Sequence, residues 1–295
     1  MMTTRTTTWE NIGTNVETCN NSIEDILHAA NLDYTVECRP VTVSGISEAN
    51  DKFKAIVRCS DDYVYNITKN SYTVCQNREA FSIVDDLHDH IKILKAGETH
   101  SGMIYMIAEM AGRKILGDEF KTHLILMTSH NSEFALKAAI TPLRIICQNQ
   151  FNVAFREAKN THSIKHTASI SNQIAAARDI LKTEASYMDT LNRNAEALAI
   201  QSIKLEKVVD NLFPMPENAS ERVAATVDNN RQLFLNAYNS NDNQNFKGTA
   251  WGALNAATDY YTHKPLKRGS EQSHFVNSVL YPEFINRAFE VISES

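Results

Sequence analysis

Residues 174–205 read IAAARDILKTEASYMDTLNRNAEALAIQSIKL, and the spacing of their apolar side chains decides the architecture. Ile174, Ala177, Leu181, Met188, Leu191, Ala195, Leu198 and Leu205 recur at steps of three and four. One side of a helix is therefore apolar over roughly five turns or more. Neither glycine nor proline interrupts the run. One long helix is the simplest reading, and its length suits either a coiled-coil seam between protomers or burial against the rest of the chain. In LFPMPENAS (212–220), Pro214 and Pro216 remove amide donors and restrict the residues before them, which ends the helix. Three further segments carry helical spacing: ERVAATVDNNRQLFLNAYN (221–239), TAWGALNAATDYYTHKP (249–265) and the final SEQSHFVNSVLYPEFINRAFEVISES (270–295). From about Ser163 onward the chain is expected to be all-helical.

Upstream of residue 160 the period changes. In FKAIVRC (53–59), Phe53, Ala55, Val57 and Cys59 alternate with Lys54, Ile56 and Arg58, which is strand periodicity. SDD (60–62) then turns the chain into YVYNITKNSYTV (63–74), predicting a hairpin. REAFSIVDDLHDHIKIL (78–94) places Phe81, Val84, Leu87, Ile91 and Leu94 at helical steps, predicting a helix on the sheet. GMIYMIAEM (102–110) and EFKTHLILMTSH (119–130) read as strands joined by the turn AGRKILGD, with FALKAAI (134–140) as another strand. TPLRIICQNQFNVAFREAK (141–159) offers Thr141 as a helix cap and Pro142 as first helical residue, so a second packed helix is expected there. The predicted fold class is α+β: antiparallel β-hairpins with packed helices over residues 1–160, and a helical region over 161–295 that packs on them or on neighbouring protomers.

The composition bounds the function. A chain of 295 residues with 43% hydrophobic content can bury a substantial core. It has no apolar run of membrane-spanning length, and MMTTRTTTWENIG lacks the apolar centre of a secretory signal, which predicts a cytoplasmic protein. Cys19, Cys38, Cys59, Cys75 and Cys147 are too scattered for a zinc site or a disulfide scaffold and read as reduced, mostly buried thiols. A formal charge of −6 disfavours a surface that coats nucleic acid all over, while leaving room for a local basic groove.

Catalytic signatures are missing from the sequence. It has no G-x-x-x-x-G-K-[ST], no G-x-G-x-x-G and no G-x-S-x-G, and no cysteine stands in a recognisable Cys/His motif. DDLHDH (85–90) is rich in metal-ligand types, but on a helix it reads as a solvated face beside Val84, Leu87 and Ile91. His162 and His166 have i,i+4 spacing without the glutamate of a zinc-protease helix. No catalytic residue, cofactor or metal is predicted, and the reading leans away from an enzyme.

Three features point toward nucleic acid. Arg58, Tyr63, Tyr65, Lys69 and Tyr72 interleave bases with rings along the predicted hairpin, a combination that pairs with phosphates and stacks on bases. THKPLKRG (262–269) gathers His263, Lys264, Lys267 and Arg268 in a basic loop of an acidic protein. Arg144, Gln148 and Asn149 stand beside the apolar Ile145, Ile146 and Phe151, where Arg144 also suits a buried polar network. The candidate binding residues are Arg58, Lys69, Tyr72, Arg144, Lys264 and Arg268.

Five motifs in order carry a family resemblance: WENIG (9–13), SYTVCQNREAF (71–81), LRIICQN (143–149), IKHTASI (164–170) and TAWGALNAATDYYTH (249–263). On these the chain resembles a phage/plasmid-like family of unknown function, carried by bacteriophages, prophages and conjugative plasmids. The resemblance implies a mobile-element protein of the host cell cytoplasm and supplies no activity or catalytic residues. In the order hairpin, hairpin, helix the chain is also similar to phage single-strand annealing proteins, whose rings or filaments hold stripped DNA in a basic groove. The function expected is a non-enzymatic phage protein that forms homo-oligomers and binds single-stranded nucleic acid, for annealing or protection during replication and recombination. The alternative is a phage assembly or host-interaction protein without nucleic-acid binding, contacting a host or phage protein. Helical spacing of Ala250, Leu254, Ala257 and Tyr261 predicts that the aromatic segment 249–265 is a buried or interprotomer helix.

Overall fold

The computed structural model describes residues 12–44, 52–133, 136–144, 149–150, 153, 160–164, 170–263, 274, 279 and 282–295. Its centre follows from two strands that are apolar on both faces. Strand β6 (Met103–Glu109) is buried from Met103 to Ala108, and its successive side chains enter two different cores. Ile104, Met106 and Ala108 join Leu124, Leu126, Ala138 and Ile140 on the face covered by helices. Met103, Tyr105 and Ile107 join Ile125, Met127 and Ala139 on the other face, against Ile12 and Val279. A strand covered on both sides is apolar at consecutive positions, which is why MIYMIA shows no alternation.

Around this strand lies an antiparallel sheet of order β1-β5-β6-β8-β9-β10. Its members are β1 (Thr14–Asn15), β5 (Lys92–Glu98), β6, β8 (Asp118–Ser129), β9 (Leu136–Arg144) and β10 (Asn149–Gln150). Strand β7 (Arg113–Ile115) pairs with the start of β8 through a turn at Leu116 and Gly117, both at positive φ. Strand β11 (Thr161–Ile164) pairs with β9 beside β10. A second sheet, β2 (Val36–Pro40), β3 (Phe53–Arg58) and β4 (Val64–Lys69), is also antiparallel. The expected 53–74 hairpin is thus present, with a bulge at Ile56/Val57.

Helices α1 (Ile23–Ala29), α2 (Asn77–Ala80) and α3 (Val84–Leu87) are short. The long helix is α4 (Ile170–Ile200), whose Ala177, Ile180, Tyr187, Met188, Leu191, Ala195 and Leu198 face the core shared with the sheet. It ends at Ile200, before Leu205, because residues 201–203 turn to pair with 248–250: Ala250 donates to the Gln201 carbonyl and Ile203 to that of Gly248. Leu205 starts α5 (Leu205–Leu212), which Pro214 and Pro216 follow. Helix α6 (Glu221–Tyr238) begins at Ser220, whose hydroxyl accepts from the Val223 amide.

Helix α7 (Ala250–His263) answers the question raised by its rings. Residues 250–260 and Thr262 are all buried, and the helix packs against α4, α6 and α8 (Glu283–Ser293). Trp251 stands edge-on to Phe246 and Tyr260 edge-on to Phe213, so the aromatics fill a core rather than offering a stacking surface.

Three expectations need correction. Residues 141–144 belong to β9 rather than to a helix, and Asn149 and Gln150 form β10. The apolar run of β8 needs a partner along its length, and nine-residue pairing outweighs a local cap signal. Pro142 is tolerated because its position falls between the stretches paired with β11 (136–139) and β10 (143–144). The segment 78–94 is two single turns and a strand, although Phe81, Val84, Leu87, Ile91 and Leu94 are all buried as expected. The second half is not all-helical, since β11 occupies 161–164 and Ser202 bridges Thr249.

Gly252 tests the close packing of α7. A Cβ there would run into the Phe246 carbonyl, while the Gly252 amide and carbonyl already bond Thr249 and Asn243. Alanine is the better helix former by about 1 kcal/mol, yet overpacking costs about 1–3 kcal/mol. Gly252→Ala should therefore lower the denaturant midpoint, as read by urea unfolding.

Candidate functional site

A polar junction lies where the three-stranded sheet meets the end of the β5–β6 hairpin. Arg58, the last residue of β3, donates from Nε and Nη2 to the two Asp61 oxygens, both at 2.8 Å. Its Nη1 reaches Glu98 Oε2 at 3.2 Å and the Tyr65 hydroxyl at 3.4 Å. Glu98 also accepts from Tyr65 (2.7 Å) and from Tyr34 (3.0 Å), whose hydroxyl oxygens lie 2.9 Å apart. Three rings surround the guanidinium carbon, with centroids at 5.1 Å (Tyr34), 5.2 Å (Tyr63) and 5.7 Å (Tyr65). Beneath them His130 bonds Asn77 Oδ1 at 2.8 Å, and Asn77 donates onward to the Leu32 carbonyl. Gly102, at positive φ, lets the Tyr65 ring approach the backbone, because a Cβ there would stand 2.5 Å from the ring.

The electrostatics describe a closed network. The bidentate bond to Asp61 raises the Arg58 pKa above its ordinary value and lowers that of Asp61. Burial raises the phenols of Tyr34 and Tyr65, so both stay protonated donors. Burial, with Arg58 nearby, pushes the His130 imidazole down to about 4.

The sequence-predicted residues do not gather into one track. Arg144 is buried at the end of β9, where it donates to Asp118 from Nε at 2.7 Å and to the Asp242 carbonyl at 2.8 Å. Its guanidinium lies 5.8 Å over Phe246, so it fastens the sheet to the segment before α7 and is sealed from a phosphate. Arg58 is neutralised by two carboxylates. Tyr72 is half-buried near Ser132, with its phenol raised by burial. Lys69 alone of the described candidates is exposed. Lys264 and Arg268 lie outside the described residues, as does the rest of the basic loop beyond His263.

Register sorts the three-stranded sheet into two faces. Cys38, Ile56 and Asn66 share the inward one, and Asn66 reaches the Asn131 carbonyl. Phe53 pairs with Lys69, and Ala55 with Ile67 and Arg39, on the outward one. There Phe53 is 44% exposed and Ile67 54%, next to Val64 at 52%, while Tyr63 at the hairpin turn is 41% exposed. Sequence alternation places Phe53 on one face with Ala55 and Val57, but nothing local tells that the face is open at Phe53 and closed at Val57.

The remaining candidates form no cluster among the described residues. His162 sits in β11 opposite Ala138, so it is not part of a helical metal pair, and His166 lies outside the described residues. Asp85, His88, Asp89 and His90 face solvent. Among the described residues no group of three or more His, Cys, Asp or Glu side chains is placed to hold a metal ion. Cys19, Cys38 and Cys75 are half-buried and Cys59 is exposed, all as free thiols, a more open distribution than expected. Burial pushes the Cys75 thiol up to about 12, which leaves it unreactive. Among the described residues no helix is long and apolar enough to cross a membrane.

Fold and site together define an α+β protein with a helix-backed antiparallel sheet and a small, partly apolar sheet open to solvent. The chain belongs to the family described as a domain of unknown function, DUF932, which matches residues 64–279. No curated protein and no solved structure matches it. A family without an assigned activity is what the five ordered motifs had implied.

Two outcomes check this account. Arg144→Ala should destabilise the fold by about 3 kcal/mol or more, since it strands Asp118 and opens the seam to Asp242. Secondly, His123 and His130 are both held down to about 4 by burial, against about 6.5 when unfolded. The unfolded chain then binds more protons between these values, so stability is full above pH 6.5 and falls as pH drops toward 4. Urea midpoints across that window should show the loss, and His130→Gln should flatten it.

Proposed function

We propose that the protein is a non-enzymatic, oligomeric binder of single-stranded nucleic acid, using the hairpin β3–β4 and its outward face. The observation that carries this reading is a pair of exposed rings, Phe53 and Tyr63, at the two ends of that hairpin. Lys69 pairs directly with Phe53 across the sheet, and the exposed Lys52 precedes it. Sheets that hold aromatic side chains toward solvent stack bases, and nearby lysines neutralise the backbone. At ~3.3 Å per residue the six-residue strand sets the two ends of the hairpin about 20 Å apart, with Phe53 on the outward face and Tyr63 against Arg58 and Tyr65 at the turn. Resemblance to the phage and plasmid family supplies the setting: a mobile-element protein acting during replication or recombination in the host cytoplasm.

A second reading draws on a different observation. Val64 and Ile67 are aliphatic and more than half exposed, so the same sheet suits a protein partner in phage assembly or host interaction. The acidic total of −6 agrees with that alternative.

Salt-titrated anisotropy with a labelled single strand separates the two. Under the first reading, affinity falls with salt, Lys69→Ala reduces the slope by about 0.7, and Phe53→Ala weakens binding by about 1–3 kcal/mol. Absence of affinity at low salt, together with a change in mass on light scattering that Ile67→Glu abolishes, would move the assignment to the protein partner.

A further inference from the structure

By residue type and spacing Arg58 reads as a phosphate contact, but its geometry fits another role. Four of its N–H directions are spent on Asp61, Glu98 and the Tyr65 hydroxyl. A phosphate approaching it would meet two carboxylates for one cation. The hairpin turn, in contrast, is built around it. Arg58 donates its backbone amide to the Tyr63 carbonyl at 2.9 Å, and Asp61 accepts from the Tyr63 amide at 3.3 Å. The guanidinium lies 5.2 Å from the centroid of the Tyr63 ring, and Tyr65 meets that ring edge-on at 5.1 Å and 81°. Across the turn Arg39 holds Asp62. Tyr63 is thus fixed in its backbone, in one ring contact and in one cation contact, and it still exposes 41% of its surface.

We propose that Arg58 is a positioning residue: with Asp61 it holds the Tyr63 ring as a preorganised platform on which one base of a single strand stacks, and it touches no phosphate. This rests on the nucleic-acid reading above. A ring already immobilised loses little rotamer freedom on stacking, so the clamp acts on affinity without adding an ionic contact. Glu98 completes it from the main sheet and Tyr34 from the segment before β2, making the junction between the sheets part of the binding surface.

The test exploits opposite signs. Asp61 is exposed, and Asp61→Asn loosens the clamp while it unburdens the Arg58 charge. If Arg58 bound phosphate, this variant would bind a labelled oligothymidylate more tightly or with a salt slope steeper by about 0.7. Positioning instead predicts binding weaker by about 3- to 10-fold with an unchanged slope, and the same for Arg58→Lys, which keeps the charge and loses the planar fork. Tyr63→Ala should weaken binding about 5- to 150-fold, the equivalent of one stacked base. Adding Asp61→Asn to Tyr63→Ala should then cost nothing more, because the clamp has nothing left to hold. Circular dichroism confirms the fold of each variant. Tighter binding by Asp61→Asn, a changed slope, or additive losses in the double variant overturn the proposal while leaving the reading it rests on intact. Failure of the wild-type protein to bind the oligothymidylate overturns both.

Discussion

Strands β6 and β8 are apolar on both faces, and that single requirement organises the molecule. Ile104, Met106 and Ala108 need a cover on one side, while Tyr105, Ile107, Ile125 and Met127 need one on the other. Helices α4 and α7 supply the first. Ile12 and Val279, from opposite ends of the chain, supply part of the second. Each methylene removed from water contributes about 0.8 kcal/mol, so leaving either face open would cost more than a domain's net stability. The small β2–β3–β4 sheet buries Val36, Ile56 and Val57 and also meets the end of the β5–β6 hairpin through the polar contacts of Arg58 and Tyr65 with Glu98.

That difference in attachment governs what is available at the surface. Charges inside the fold are consumed by it: Arg144 by Asp118 and the Asp242 carbonyl, Arg58 by Asp61 and Glu98. On the outward side of the small sheet Arg39 is likewise paired, with Glu37 and Asp62, while Phe53, Val64 and Ile67 stay about half exposed. Exposed rings and aliphatics concentrated on one three-stranded surface are the feature that folding alone does not require.

The candidate residues were legible in unequal measure. The 53–74 hairpin announced itself through strand alternation and the SDD turn, and of its interleaved rings and cations Lys69 emerged on the exposed side. Arg58 stood out for its charge, yet its partner Glu98 is forty residues away and belongs to another sheet, so no local pattern linked them. Arg144 followed a cap signal, Thr141–Pro142, that pairing with β8 overrode. In each case the residue type was visible, and its accessibility was set by contacts distant in the chain.

Local periodicity was enough for the alternation in 53–59, for the long helix behind Ile174 to Leu198, and for a buried helix through Ala250, Leu254 and Ala257. Those features are fixed by side-chain spacing against a repeat of two or of 3.6, which any short window contains. Tertiary structure alone decided that residues 141–144 extend a sheet, that Arg58 faces two carboxylates, and that Phe53 and Tyr63 stay in solvent. Those outcomes depend on which surfaces meet, and burial is a property of the folded whole rather than of any segment.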